Sequence, residues 1–257
     1  MRAAVSVDRL VKRFGPRTVF DGFDLRVEPG ETVAILGASG CGKSTLLRCV
    51  AALVPLDAGS IAVDGEIGFV FQEPRLMPWL TLEKNVIFAA RSDAERARVE
   101  NAIGLVGLTN AAHLLPKALS GGMAQRAALA RTLVRSPKVL LLDEPLSSLD
   151  ALLRLELQVA IARIVRETAS TAVLVTHDVD EALFLADRIV VLEGSPARPS
   201  LELIVPAECR RSRYADLTGE RVRLLAALGV VAPGEQRPRS TLHRIEDAAG
   251  RRASRSR

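Results

Sequence analysis

The strongest constraint on the fold of this chain is the stretch Gly37-Ala38-Ser39-Gly40-Cys41-Gly42-Lys43-Ser44-Thr45, which fits the phosphate-loop pattern of Gly, four free residues, Gly-Lys and then Ser or Thr. An apolar run of strand length precedes it at 32–36, and a run of good helix formers follows it from 44 to 53. A glycine-rich turn between a strand and a helix points backbone N–H groups at one place, where the helix dipole also favours an anion. The stretch therefore predicts a nucleotide phosphate site in an α/β domain.

Two side chains of this loop have predicted roles of their own. Lys43 can reach the β- and γ-phosphates of a nucleotide, and the hydroxyl group of Ser44 can bind Mg²⁺. The thiol of Cys41 has no predicted catalytic role: the three cysteines, Cys41, Cys49 and Cys209, are odd in number and lack metal-ligand spacing, which indicates reduced thiols.

Length, composition and charge limit the class of protein. A chain of 257 residues with 48% hydrophobic and 25% charged residues suits one large α/β domain with an inserted lobe. No apolar run is long enough to span a membrane, and we expect no cleavable signal. The net charge of +5 is concentrated at 233–257, which holds seven arginines against three acidic residues. We expect this part to be a disordered basic tail, and the near-neutral remainder does not favour a nucleic-acid partner.

The first third of the chain has a strand pattern apart from the helix after the phosphate loop. Two strands are predicted at 4–14 and 17–27, and two shorter ones at 59–64 and 67–71. The pair Asp64-Gly65 between the shorter strands is a hairpin signal. We therefore expect an antiparallel β part near the N-terminus.

The middle of the chain has a helical pattern, and we interpret about 73–134 as an inserted helical lobe that includes a helix at 93–105. The lobe begins with an apolar loop that contains Met77 and the single tryptophan, Trp79. Because apolar side chains are costly to leave in water, this loop either packs within the lobe or docks on a partner.

A second glycine-rich turn, Ser120-Gly121-Gly122, begins the last helix of this lobe. Exposed N–H groups and the helix dipole make such a turn an anion site, although a Ser N-cap with a flexible Gly pair has the same sequence. One nucleotide does not need two phosphate turns from one chain, which suggests that this turn serves a nucleotide on another copy. Asp150, ahead of a helix predicted at 151–168, is by default an N-cap.

Two residues at strand ends have both a structural and a functional interpretation. Phe14 is either a core residue or a platform on which an adenine ring stacks. Gln72 is either a solvated surface amide or a ligand that reaches Mg²⁺ and the attacking water.

Two acids and a histidine follow later core strands. Asp143 and Glu144 come directly after an apolar strand at 138–142, and His177 comes directly after one at 171–176. In a phosphate-loop protein such an Asp holds Mg²⁺, and a Glu beside it can polarise a water molecule as general base. Strand ends of an open α/β sheet carry its ligands, so we expect the histidine at the same edge.

In their order and spacing, these motifs resemble the ATPase subunits of ATP-binding-cassette (ABC) transporters over roughly 4–229. The turn Leu119-Ser120-Gly121-Gly122 in a helical insert is the specific element, because kinases and GTPases share the phosphate loop. The resemblance implies an ATPase domain at 1–232 with the RecA-like core sheet of a P-loop NTPase, an N-terminal antiparallel β subdomain and an inserted α-helical subdomain. It also implies ATP and Mg²⁺ as cofactors.

The family further implies a head-to-tail homodimer that closes over two ATP molecules, with the Ser120-Gly121-Gly122 turn of each subunit at the γ-phosphate held by the other. By this resemblance Asp143 supports Mg²⁺, Glu144 activates water and His177 contacts the γ-phosphate, and Asp150 bridges the two subunits. The family commonly has Gln where this chain has Met123, which removes one amide near the partner's ribose.

Finer features resemble the importers of nitrate, aliphatic sulfonates and taurine. These are the run Phe71-Gln72-Glu73-Pro74-Arg75-Leu76-Met77-Pro78-Trp79-Leu80-Thr81 and the Met after the second signature Gly. Such a system implies permease subunits, a separate extracytoplasmic solute-binding protein, and a place at the cytoplasmic face of the inner membrane, held there through the permease.

Two other classes stay open at this point. An ABC ATPase of DNA repair would carry long coiled coils or zinc modules, and one of translation usually carries two cassettes; neither feature is in the sequence. A regulator that binds ATP without hydrolysing it would be expected to lose either Glu144 or His177, and this chain has both.

Overall fold

The computed structural model describes residues 3–147, 149–206 and 217–230. The tail predicted at 233–257, and Cys209, lie outside these residues. Among the helices that the structure describes, none is long and apolar enough to cross a membrane.

The described residues form an α/β domain with nine strands and eight α-helices. In chain order the strands are β1 (Val5–Phe14), β2 (Arg17–Val27), β3 (Thr32–Gly37), β4 (Ala58–Val63), β5 (Ile67–Val70), β6 (Val139–Asp143), β7 (Thr171–Val175), β8 (Arg188–Glu193) and β9 (Arg198–Ile204). The helices are α1 (Lys43–Val50), α2 (Leu82–Ala89), α3 (Asp93–Arg96), α4 (Val99–Leu105), α5 (Gly121–Leu133), α6 (Ala151–Thr168), α7 (Val179–Leu185) and α8 (Thr218–Ala227), with short 3₁₀ turns at Thr109–Ala111 and Pro116–Ala118.

The strands form two sheets. An antiparallel sheet has the order β2-β1-β4, and the central sheet has the order β5-β6-β7-β3-β8-β9, in which only β9 is antiparallel to its neighbour. Every residue of β3, β6 and β7 is buried, as expected for parallel strands covered on both faces. The predicted fold class, with its antiparallel β subdomain and helical insert, is confirmed.

Successive residues of the central strands point to opposite faces and enter different cores. Leu141 belongs to a cluster with Phe20 of the antiparallel sheet and Leu47 of α1. Leu140 belongs to a second cluster that reaches Leu82 of the helical lobe. The lobe therefore shares its apolar core with the sheet that carries the phosphate loop.

The predicted hairpin at Asp64-Gly65 is wrong. Strand β4 pairs antiparallel with β1, whereas β5 pairs parallel with β6 in the other sheet. Gly65 has a φ of 116°, and a Cβ there would lie 2.5 Å from the Lys138 side chain, so the turn leads the chain tightly from one sheet to the other. The Asp-Gly signal identified a turn, but each strand found its partner elsewhere.

The helical lobe differs from the prediction in one detail: the helix expected at 93–105 is divided into α3 and α4. Its first loop is organised by Asn85, which is fully buried in α2. The Asn85 side chain accepts a hydrogen bond from the Met77 N–H at 2.7 Å and donates to the carbonyl oxygens of Met77, Leu80 and Thr81 at 3.0–3.2 Å. These bonds fix the loop that contains Trp79.

Glu181 in α7 is a buried acid beneath the end of β7, with 2% of its surface exposed. One carboxylate oxygen accepts a hydrogen bond from Thr176 at 2.5 Å, and the other has no hydrogen-bond partner among the described residues. The pKa of Glu181 is raised from 4.5 to about 7, chiefly by burial. The hydrogen bond from Thr176 and the charge of Arg154 act against this rise, and the charges of Asp178 and Glu144 act with it.

This pKa makes the stability of the domain depend on pH. Between pH 4.5 and about 7 the unfolded chain releases the Glu181 proton while the folded chain keeps it, so this group lowers the free energy of unfolding as pH rises. The largest slope is about 1.4 kcal/mol per pH unit. We expect Glu181→Gln to remove this loss of stability. In urea unfolding, the free energy of unfolding of the variant should therefore rise relative to that of the wild type from pH 5 to pH 7. The exposed Glu193→Gln should show no such trend, and a pH-independent difference for Glu181→Gln would contradict the assignment.

Candidate active site

The phosphate loop lies between the end of β3 and the start of α1, as the sequence predicts. Gly42, the N-cap of α1, has a φ of 113°, and a Cβ there would lie 2.5 Å from the side chain of Val19. A Cβ at Gly37 would lie 2.7 Å from the carbonyl oxygen of Leu192. Only glycine fits both positions, so the packing of Val19 and Leu192 against the loop requires its two glycines.

The loop forms one wall of an open cleft of about 370 Å³, within the range of small-molecule sites. The described residues that line it are Phe14, Arg17, Val19, Ser39, Gly40, Gly42, Lys43, Ser44, Thr45 and Glu144. The Phe14 ring is 49% exposed and lies 4.9 Å from the Lys12 ammonium group. The core interpretation of Phe14 is therefore wrong: its half-exposed ring lies in the wall of the cleft, with the Lys12 ammonium group over one face.

Two side chains of the loop are held by hydrogen bonds within the protein. The Lys43 side chain is buried and donates to the carbonyl oxygens of Gly37 and Ala38 at 2.8 and 3.1 Å. The Ser44 hydroxyl group donates to Oδ1 of Asp143 at 2.7 Å. Strand β6 therefore brings its terminal acid, Asp143, to the phosphate loop.

Asp143 is 4% exposed, and burial raises its pKa, with the Glu144 charge acting in the same direction. The Ser44 hydrogen bond and the positive charges of Arg48 and Lys43 act in the opposite direction. A hydroxyl oxygen next to a buried carboxylate fits Mg²⁺, which prefers oxygen ligands and takes few of them from the protein when phosphates supply the rest. The residues present can therefore hold this ion.

Glu144 and His177 are in contact beside the cleft, and Gln72 is connected to the Glu144 backbone through Ser147. An Oε atom of Glu144 lies 3.4 Å from Nδ1 of His177. The Gln72 amide donates to the Ser147 hydroxyl oxygen at 3.1 Å, and Ser147 donates to the Glu144 carbonyl oxygen at the same distance. Glu144 has a φ of 46°, and its N–H donates to the carbonyl oxygen of Val175 at 2.9 Å. The three predicted catalytic residues are thus brought together by the ends of β5, β6 and β7.

Two residues of this site had no predicted role. Ser147 connects Gln72 to Glu144, and its position three residues after Glu144 is the signal that could have identified it. Arg17 lines the cleft and donates to the carbonyl oxygen of Gly40. The sequence signal that could have identified Arg17 is its basic side chain three positions after Phe14.

The segment that carries Gln72 is tied to the helical lobe. Gln125 of α5 is 1% exposed and donates to the Phe71 carbonyl oxygen at 3.0 Å. Arg131 of the same helix donates to the carbonyl oxygens of Pro74 and Arg75, and burial lowers its pKa. Gln72 therefore lies between the cleft and an anchored part of the lobe.

The turn Ser120-Gly121-Gly122 and Asp150 are not among the described residues that line the cleft. Within one chain both act as helix caps: the Ser120 hydroxyl oxygen accepts from the Met123 N–H, and Asp150 accepts from the first N–H groups of α6. The action of the turn on a nucleotide of another copy, and the role of Asp150 as a bridge between subunits, stay predictions.

Comparison with known proteins shows the family of the chain. The family model described as ABC transporter matches residues 20–147. The aliphatic sulfonates import ATP-binding protein SsuB 1 of Xanthomonas axonopodis pv. citri is 48% identical over 84% of this chain and 93% of its own length. The protein of the same name from Pseudomonas syringae pv. tomato is 44% identical over 97% of this chain and 94% of its own length.

Two solved structures have the same fold. One is the dimeric ATP-binding cassette MJ0796 in a post-hydrolysis state with ADP and Pi, which has 28% identity and a TM-score of 0.69 over 79% of this chain and 99% of its own. The other is cbiO1 from Clostridium perfringens, part of the ABC transporter complex cbiONQ, with 27% identity and a TM-score of 0.73 over 88% of this chain and 95% of its own. With relatives this similar over most of its length, the chain belongs to the ATPase subunits of ABC transporters.

Proposed function

We propose that this chain binds ATP with Mg²⁺, hydrolyses it between two head-to-tail copies, and thereby powers import of aliphatic sulfonates or similar nitrate- or taurine-like solutes. One observation carries the proposal: the Ser44–Asp143 pair and the Glu144–His177 pair lie at one sheet edge beside the phosphate loop. The relatives that are named as import ATP-binding proteins support the direction of transport and the class of solute. A separate solute-binding protein would select the solute.

The chemistry follows from the geometry of these side chains. Ser44, Asp143 and Gln72 would hold Mg²⁺, which when bound neutralises charge on the β- and γ-phosphates. The Glu144 carboxylate takes a proton from the attacking water. His177, 3.4 Å from that carboxylate, orients it and contacts the γ-phosphate. Lys43 places its ammonium group against the phosphates, and the open face of Phe14 stacks on adenine.

A second copy supplies the remaining donors. The first N–H groups of a helix have no partner within it, and α5 has no acidic residue in its first turn to repel an anion. We assign the Ser120-Gly121-Gly122 turn to the γ-phosphate bound by the other copy and Asp150 to the contact between copies. The dimeric ADP-bound relative supports this arrangement.

The permease docks on the helical lobe in this proposal, and thereby holds the chain at the cytoplasmic face of the membrane. Trp79 is 74% exposed and Phe88 is 65% exposed, so Trp79 does not fill the core of the lobe. The buried Asn85 fixes the loop of Trp79, and the segment with Gln72 leads from the cleft to this loop. The apolar surface can therefore receive a cytoplasmic helix and respond to changes at the γ-phosphate.

We expect Glu144→Gln to keep ATP binding and to lower ATP turnover on the order of 10²-fold or more, because the amide keeps the size of the carboxylate but cannot take a proton. Gel filtration with ATP and Mg²⁺ should then show an accumulated dimer. The exposed Glu156→Gln on α6 is the control and should retain normal turnover. Near-native turnover by Glu144→Gln would remove Glu144 from the role of base.

The shared site is tested with two inactive chains. Ser120→Arg should abolish hydrolysis without weakening ATP binding by the monomer, since its own cleft is unchanged. Mixed with Lys43→Ala chains, it should recover one active site per mixed dimer, which combines its phosphate loop with the intact Ser120 of the other chain. Ser120→Thr, which keeps a cap, is the control. Failure of the mixture to recover any activity would refute the head-to-tail assignment.

The docking surface is tested with Trp79→Ala, measured in the complex with its permease and in isolation. We expect lost permease binding, while the isolated subunit keeps its melting temperature and ATP affinity because the ring is mostly in solvent. Leu53→Ala, which removes another exposed apolar side chain from outside the lobe, should not affect permease binding. A large fall in melting temperature for Trp79→Ala would move the docking surface elsewhere.

A further inference from the structure

We propose that Arg154 is a positioning residue that connects the loop of Asp150 to the loop of His177. When a second copy contacts the loop of Asp150, this connection places His177 at the ATP that its own chain binds. This inference rests on the shared-site dimer of the proposed function. Arg154 touches neither the cleft nor the expected phosphate position, and it acts through the loops that it joins.

The first observation is the pair of contacts that the guanidinium group makes. Arg154 lies in the first turn of α6, where one Nη donates to the carbonyl oxygen of Leu149 at 3.1 Å. The other Nη lies 3.4 Å from Oδ2 of Asp178. About a third of each side chain is exposed, so the pair is partly shielded from water and its opposite charges attract more strongly than they would in bulk solvent.

The second observation is how firmly Asp178 is connected to the histidine loop. Its Oδ1 accepts from the N–H groups of Asp180 and Glu181 and caps α7. Its own N–H donates to the Thr176 hydroxyl group at 3.0 Å. His177 lies between these two anchored residues, so a force on the Asp178 carboxylate is transmitted to the backbone of His177.

The third observation is that the same short segment touches the signature turn. A Cβ at Gly122 would lie 3.3 Å from Leu153, and one at Gly121 would lie 3.7 Å from Leu149. The segment 149–154 therefore contacts the turn that serves the other copy's ATP and, through Arg154, the histidine that serves its own. Residues that are packed in this way can couple two sites.

The test compares Arg154→Met, which keeps the aliphatic stem but removes both donors, with Arg154→Lys, which keeps the charge without the planar fork. We expect Arg154→Met to lower kcat for ATP about 5-fold or more with little change in KM or in ATP binding by the monomer. Arg154→Lys should recover part of kcat. Arg166→Met, at the exposed far end of α6, is the control and should leave kcat unchanged.

A double-variant cycle with Asp178→Asn separates positioning from simple stability. Asp178→Asn should lower kcat by a similar factor, and the double variant should be no slower than either single variant, because both remove the same link. Native kcat in Arg154→Met, additive losses in the double variant, or a loss that follows the melting temperature would each overturn the inference. Failure of the shared-site dimer is recognised separately, by the mixture of Ser120→Arg and Lys43→Ala chains with Arg154 intact.

Discussion

The whole site depends on one constraint, which is that backbone N–H groups must converge at the N-terminus of α1. The left-handed Gly42, packed against Val19, sets the path of the backbone into α1, and β3 places this turn in the middle of the central sheet. Because β7 and then β6 lie next to β3, their carboxyl ends bring His177 and the acids Asp143 and Glu144 to the same edge. The order of the strands thus determines which side chains a bound phosphate can meet.

Much of this arrangement could be predicted because its signals are local. The strand at 17–27, the helix after Asp150 and the residues at strand ends all follow from periodicity, caps and turns. The hairpin at Asp64-Gly65 could not be judged locally, because the pairing of a strand depends on competition among distant strands. Ser147 and Arg17 were missed for a related reason, since each acts through a hydrogen bond to a loop whose conformation exists only in the folded domain.

The exposed aromatic residues Phe14 and Trp79 illustrate the same limit. Phe14 and Trp79 each had two interpretations at the level of sequence, because whether a large apolar side chain is covered depends on neighbours far along the chain. Here Lys12 lies over one face of the Phe14 ring and leaves the side chain half exposed. Asn85 holds the loop of Trp79 in a shape that leaves the indole in solvent. An exposed aromatic ring at an ordered position favours binding over core packing both at the end of β1 and in the loop of Trp79.

Capping and function need not be alternatives for a polar residue at a helix start. The Ser120 hydroxyl oxygen accepts the Met123 N–H, which leaves its own O–H able to donate to a phosphate oxygen. Asp150 makes both cap bonds through Oδ1, so Oδ2 is not needed for capping, and Asp178 caps α7 through Oδ1 while its Oδ2 faces Arg154. Each side chain uses one atom to hold its own helix and has a second available for another loop or another copy. A cap of this kind fixes the second atom in place before the partner arrives, which lowers the entropy cost of binding.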